Sequence, residues 1–148
     1  DINPNAIESV ARQLRRLPVA PSIELQHADL LGALRGPADL IVSNPPYVDA
    51  KSMRGLPPEY RSEPALALAG GKDGLDLVKR IISSAPAYLS PKGVLVVEIG
   101  HNREALERTY PRTAFTWLET SGSDEFVFLL TREQALNAVC ASPSRKRR

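Results

Sequence analysis

The sequence predicts an α/β layered fold with a parallel sheet, and three observations carry that prediction. Val94-Leu95-Val96-Val97-Glu98-Ile99 is apolar except for Glu98, the mark of a strand covered on both faces in a parallel sheet. Leu40-Ile41-Val42 is a second apolar run, and it is cut off by Pro45-Pro46, which fix φ and supply no N–H. Around these runs, apolar residues recur at helical rather than strand spacing, so strands and helices alternate along the chain.

The elements follow in order. Asn3-Pro4 reads as an N-cap followed by proline at the first helical position. Ile7, Val10, Ala11 and Leu14 then predict an amphipathic helix over 4–16, ended by Pro18 and Pro21. Ile23-Glu24-Leu25-Gln26-His27 alternates like a short strand, and Gly36-Pro37 leads into the strand at 39–43. Residues 48–73 form a long irregular stretch with Pro57-Pro58, Glu63-Pro64 and Gly70-Gly71; loops of that length are often functional, and this one reads as a lid or wall over a site. Leu75, Val78, Ile81, Ile82, Ala85 and Leu89 mark a helix ending before Pro91, and the strand at 94–99 stops at Gly100. A short helix at 102–109 closes at Pro111. Strands at 114–118 and 125–130, joined through Ser121-Gly122-Ser123-Asp124, make a closing hairpin. Residues 1–136 read as one domain and 137–148 as a basic tail, with 141–148 disordered.

Composition excludes several classes. The chain has 148 residues, 43% hydrophobic and 24% charged, enough for one domain with a real core. Net charge is +2, and much of the basic excess lies in Arg145-Lys146-Arg147-Arg148, so the body is close to neutral, unlike a dedicated nucleic-acid binder. The single cysteine, Cys140, permits no intramolecular disulfide and fits a reducing, cytoplasmic compartment. No apolar run approaches the roughly 18 residues of a membrane span. His27 and His101 have no ligand-spaced partners, so they read as structural and no metal set is expected.

Ser43-Asn44-Pro45-Pro46-Tyr47 is the candidate site. It leaves a strand end, where open α/β sheets hold ligands. Asn44 offers a carboxamide, the carbonyls before the prolines are free of ladder pairing, and Tyr47 adds a flat aromatic face with a polar tip. These groups can grip a planar amide or amine. With no nucleophile, metal set or strong base, the site suits transfer onto a substrate nitrogen that the protein only has to hold and orient. Asp1, just before a helix cap, reads equally as a capping residue and as an acid for a ribose. Glu63 reads as a pocket wall or a solvated carboxylate, and Glu98 as an organiser of backbone near the site.

Asn44-Pro45-Pro46-Tyr47 after an apolar strand resembles the signature of the S-adenosylmethionine-dependent methyltransferases that modify planar amide or amine nitrogens, in protein glutamine or in adenine. The resemblance implies a partial Rossmann-like class I methyltransferase fold. It implies that the Asn44 oxygen and the Pro45 carbonyl accept the two hydrogens of a substrate amide while Tyr47 packs on its plane, Pro46 completing the catalytic corner and Glu63 the substrate wall. Asp1-Ile2-Asn3-Pro4-Asn5-Ala6 resembles the family's ribose-binding turn and Asp29-Leu30 the place for the adenine, so Asp1, Asp29, Leu30 and Asn44 are the implied cofactor contacts. Leu30 stands where relatives often have an aromatic residue.

Within the family, Val48-Asp49-Ala50, Leu56-Pro57-Pro58-Glu59-Tyr60-Arg61, Glu63-Pro64-Ala65-Leu66-Ala67-Leu68, Gly74-Leu75-Asp76-Leu77 and Phe115-Thr116-Trp117-Leu118-Glu119 are similar to the branch that methylates a glutamine of ribosomal protein L-three. The resemblance runs from Asp1 to about Leu136. The implied alternatives are the release-factor glutamine methyltransferase branch, an adenine methyltransferase of DNA or RNA, and a non-catalytic remnant. The neutral body argues against the nucleic-acid enzyme.

The family's first strand and its glycine-rich cofactor turn have no counterpart in 1–148, and the first residue is Asp, so both are expected upstream, together with a small substrate-recognition domain. Five or six missing buried side chains at ~1.5–3 kcal/mol each remove on the order of 10 kcal/mol, as much as a typical domain's whole margin. The strand at 22–27 is therefore expected either to dock beside 39–43 or to leave sheet edges that pair with a second copy.

Overall fold

The computed structural model describes residues 1–18, 22–50, 52–55, 70–120 and 123–141. The chain divides into two compact units, Asp1–Gly36 and Pro37–Arg148.

In the first unit, helix α1 (Pro4–Leu14) begins where the sequence predicts it. The Asn3 side chain accepts the Asn5 N–H at 3.0 Å, and proline takes the first turn, where its missing N–H costs nothing. No residue of α1 is buried. The expected strand at 23–27 is not formed: alternation supplies two faces but no ladder. The backbone pairing in this stretch lies at its end, where the Asp1 nitrogen donates to the Gln26 carbonyl at 3.0 Å and the Ala28 N–H to the Asp1 carbonyl at 3.0 Å. Ile23 and Leu25 stay exposed.

The second unit holds the sheet. Strand β1 (Ala38–Ser43), helix α2 (Asp76–Tyr88), strand β2 (Leu89–Glu98), helix α3 (Arg103–Thr109), strands β3 (Thr116–Thr120) and β4 (Ser123–Thr131), and helix α4 (Arg132–Ala141) follow in order, with a 3-10 turn at Ser52–Gly55. The sheet order is β1-β2-β4-β3, parallel between β1 and β2 and antiparallel elsewhere. The fold is thus α/β with a mixed sheet. Among the described residues the sheet takes no strand from 22–27. β1 is a sheet edge.

Register explains the core. Ile41 pairs with Leu95 and Leu95 with Leu130, while Val97 pairs with Phe128; all five are buried on one face. Helices α2 and α4 pack on each other and against β2. They supply Val78, Ile81, Ile82, Ala85, Ala135 and Ala138, and the Arg132 Nε donates to the Pro86 carbonyl at 3.0 Å between the two helices. The opposite face is apolar but open, with Leu40 55% and Val42 68% exposed. The apolar run at 94–99 therefore does not mark a strand sealed on both sides. Leu95, Val97 and Ile99 are buried, whereas Val94 and Val96 are only partly so, and β2 has a parallel neighbour on one side alone. Beyond the hairpin, Phe115 and Trp117 meet Phe128 edge to face at 5.1 and 6.0 Å, and Arg103 lies 4.5 Å over the Trp117 ring.

The tail expectation changes as well. Residues 137–141 are helical, because the Thr131 N–H and the Gln134 side-chain oxygen (2.8 Å), and the Gln134 N–H and Thr131 hydroxyl (3.2 Å), form a capping box that starts α4. Cys140 is exposed on that helix. Residues 142–148 lie outside the described part, as do Glu63 and most of the expected lid at 48–73.

Candidate functional site

Parallel pairing of β1 and β2 brings their carboxyl ends together: Ser43 is level with Val97, and the next residues of both strands turn away side by side. From β1 the chain continues as Asn44-Pro45-Pro46-Tyr47; from β2 it continues through Ile99 and Gly100 to Asn102. The site is the meeting of these two exits.

Asn44 is exposed and Pro45 buried. Among the described residues no donor reaches the Asn44 carboxamide oxygen or the Pro45 carbonyl. Tyr47 is held from the β2 side. Its hydroxyl donates to Glu98 Oε1 at 3.3 Å, its ring lies against Gly100, and its carbonyl accepts the Asn102 Nδ2–H at 2.8 Å. Glu98 thus organises the phenol of Tyr47 rather than backbone. A Cβ on Gly100, whose φ is +53°, would sit 2.6 Å from the ring.

The far end of the loop returns to the same corner. The Gly70 N–H donates to the Val48 carbonyl at 2.8 Å and the Ala50 N–H to the Gly71 carbonyl at 3.0 Å, a short two-bond ladder. Gly74 turns with φ +74°, and a Cβ there would fall on the Tyr47 carbonyl. Asp73 then leads into α2, accepting the Leu75 N–H at 3.1 Å and the Lys79 ammonium at 2.6 Å. Burial alone would raise its carboxyl pKa, but the Lys79 hydrogen bond, the Leu75 amide and the Lys79 charge outweigh it and hold the value below the usual carboxylate range.

Asp1, Asp29 and Leu30 lie in the first unit. Asp1 bonds to the main chain on either side of His27, through the Gln26 carbonyl and the Ala28 N–H. Its Oδ1 accepts the Asn3 N–H at 2.7 Å, so the side chain is oriented by the cap that follows it. Leu30 has φ +50°, a strained conformation for a branched side chain. The histidines fill structural positions: His27 Nε2 pairs with the Ile2 carbonyl at 2.9 Å, and His101 stands edge-on to Phe126 at 4.4 Å. Among the described residues no group of three or more metal-ligating side chains occurs.

Sequence reasoning missed Asn102, Gly74 and Gly100. A signal for two of them exists: residues just past a parallel neighbour of the candidate strand share its end of the sheet, which singles out Gly100 to Asn102.

No protein-family model matches the chain. Curated relatives do. Over 136 residues it is 55% identical to the protein named ribosomal protein uL3 glutamine methyltransferase of Neisseria gonorrhoeae (strain ATCC 700825 / FA 1090), a match covering 92% of this chain and 46% of the relative. It is 50% identical over 135 residues to the protein of that name in Bordetella pertussis (strain Tohama I), covering 90% and 45%. The protein of that name in Bradyrhizobium diazoefficiens (strain USDA 110) is 44% identical over 129 residues, covering 86% and 40%. The chain belongs to the same family as these proteins. It spans a little under half the length of these relatives. The mixed α/β sheet is consistent with the class I methyltransferase fold expected for the family. No helix among the described residues is long and apolar enough to cross a membrane.

Proposed function

We propose that the protein transfers a methyl group from S-adenosylmethionine to the side-chain amide nitrogen of a glutamine in a large-subunit ribosomal protein. The observation that carries this reading is the pair of oxygens at the β1 exit, the Asn44 carboxamide and the Pro45 carbonyl, which accept no hydrogen bond from any described residue on a corner otherwise held on several sides. Two acceptors on neighbouring residues match the two hydrogens of a primary amide. The family's named substrate class supports the choice of a ribosomal protein.

The first unit carries residues that suit the ribose and adenine of the methyl donor. Asp1, its rotamer set by the Asn3 amide, takes the ribose hydroxyls, and Asp29 with the strained Leu30 receives the adenine. Bound S-adenosylmethionine supplies an electrophilic methyl group. Asn44 and Pro45 hold the amide nitrogen so that its lone pair points along the line of transfer, Tyr47 packs on the amide plane, and Pro46 keeps the corner stiff. As the N–C bond forms and the C–S bond breaks, the amide gives up one proton to water. An amide nitrogen is a weak nucleophile, so acceptors that bind it better as its charge develops accelerate the step, whereas uniform binding would not.

The assay is methyl transfer by the intact protein, with labelled donor offered ribosomal protein, release factor and DNA. Label on a glutamine of the ribosomal protein is expected. Label on the release factor would move the substrate to the other branch, and label on adenine would overturn the amide reading. We further propose that residues 1–148 alone self-associate through the open β1 edge beside the exposed Leu40 and Val42. Sedimentation at micromolar concentration should show dimers or larger species, and a strictly monomeric chain contradicts this.

A further inference from the structure

We propose that Asn102 is a positioning residue for methyl transfer, acting through Tyr47 on the acceptor corner; the proposal rests on the function inferred above. Asn102 stands at the N-cap of α3, a position where asparagine ordinarily turns its side-chain oxygen onto a free N–H of the first helical turn. It makes no such bond. Its Nδ2 instead donates at 2.8 Å to the carbonyl of Tyr47, 55 residues earlier in the chain.

The same carbonyl dictates a second local departure. Gly74 adopts φ +74°, and a Cβ there would fall on the Tyr47 oxygen and stand 2.6 Å from Asn102 Nδ2. An unmade helix cap and a glycine in the left-handed region therefore converge on one acceptor. That acceptor matters because of what precedes it. Pro45 and Pro46 each have φ fixed by the ring, which stiffens the short backbone between Asn44 and the Tyr47 carbonyl. Holding that carbonyl restrains the backbone that carries the Pro45 carbonyl and Asn44. Glu98 and Gly100 hold the Tyr47 side chain, and Asn102 holds its carbonyl. Displacement of the acceptors would misdirect the amide lone pair without abolishing binding.

Asn102→Asp in the intact protein is the test. It keeps the size and remains a favoured N-cap, but places an oxygen against the Tyr47 carbonyl in place of the N–H donor. The expected result is a fall in kcat of at least ~10-fold, with KM for S-adenosylmethionine and the Tm little changed. Amide hydrogen exchange at Ala50 and Gly70 should quicken by about 10-fold or more while Leu95 and Val97 keep their protection. Asn102→Ser, another N-cap former too short to reach Tyr47, should give the same pattern and serves if the aspartate variant fails to fold. Unchanged kcat or unchanged exchange at Ala50 and Gly70 overturns the proposal; so does loss of protection at Leu95 and Val97 in both variants, which would make Asn102 a general stability residue. If the unsubstituted protein transfers no methyl group, the functional reading fails, and the exchange at Ala50 and Gly70 still decides whether Asn102 holds the corner.

Discussion

Asn44→Ala in the intact protein is expected to lower kcat for glutamine methylation by about 10²–10³, the usual cost of removing one preorganised group at the reacting centre. The side chain is exposed and bonded to nothing among the described residues, so the substitution removes no packing and no internal hydrogen bond. Stability should therefore change by less than about 0.5 kcal/mol. Single-turnover methyl transfer and a urea melt measure the two quantities on the same preparation. A variant with normal folding and normal turnover would remove Asn44 from the chemistry, and with it the reason to assign this corner to an amide.

Phe128→Ala should give the largest loss of stability, about 3–5 kcal/mol. Phe128 is fully buried, pairs with Val97 across β2 and β4, and meets both Phe115 and Trp117 edge to face. Truncation removes the ring from the centre of the sheet and opens a cavity that α2 and α4, tied together through Arg132 and Pro86, have little freedom to fill. The loss is read as a fall in urea midpoint at constant m-value. A change below about 1 kcal/mol would mean that the buried face organised by Leu95, Val97 and Leu130 is not the core.

The exit of the chain from β1 at Asn44-Pro45-Pro46-Tyr47 was legible because its signal is local. An apolar strand that runs into two prolines has to leave the sheet, and the residues at that exit are named by the sequence itself. The supports of the corner were not legible in the same way. Asn102 and Gly74 are distant in sequence and ordinary in type, and only the parallel pairing of β1 with β2 shows that Asn102 shares the strand end with Tyr47. The strand expected at 23–27 fails for the converse reason: alternation assigns side chains to two faces, but a strand also needs a ladder, and among the described residues the main chain here is paired to main chain where Asp1 meets Gln26 and Ala28. Helix α4 carried its own signal, since Thr131 and Gln134 have capping-box spacing, yet the basic residues that follow dominate the composition of that end of the chain. In β2, Val94 and Val96 made the run look sealed on both sides, because an apolar sequence states what a face prefers and not whether anything covers it.

A structure of the intact protein with S-adenosylhomocysteine and a glutamine-bearing segment of the proposed ribosomal substrate tests the central claim most directly. The account predicts the glutamine amide nitrogen within about 3 Å of both the Asn44 carboxamide oxygen and the Pro45 carbonyl, with its remaining direction open toward the sulfur. An amide bound elsewhere, or those two oxygens occupied by donors of the protein's own chain, would contradict it.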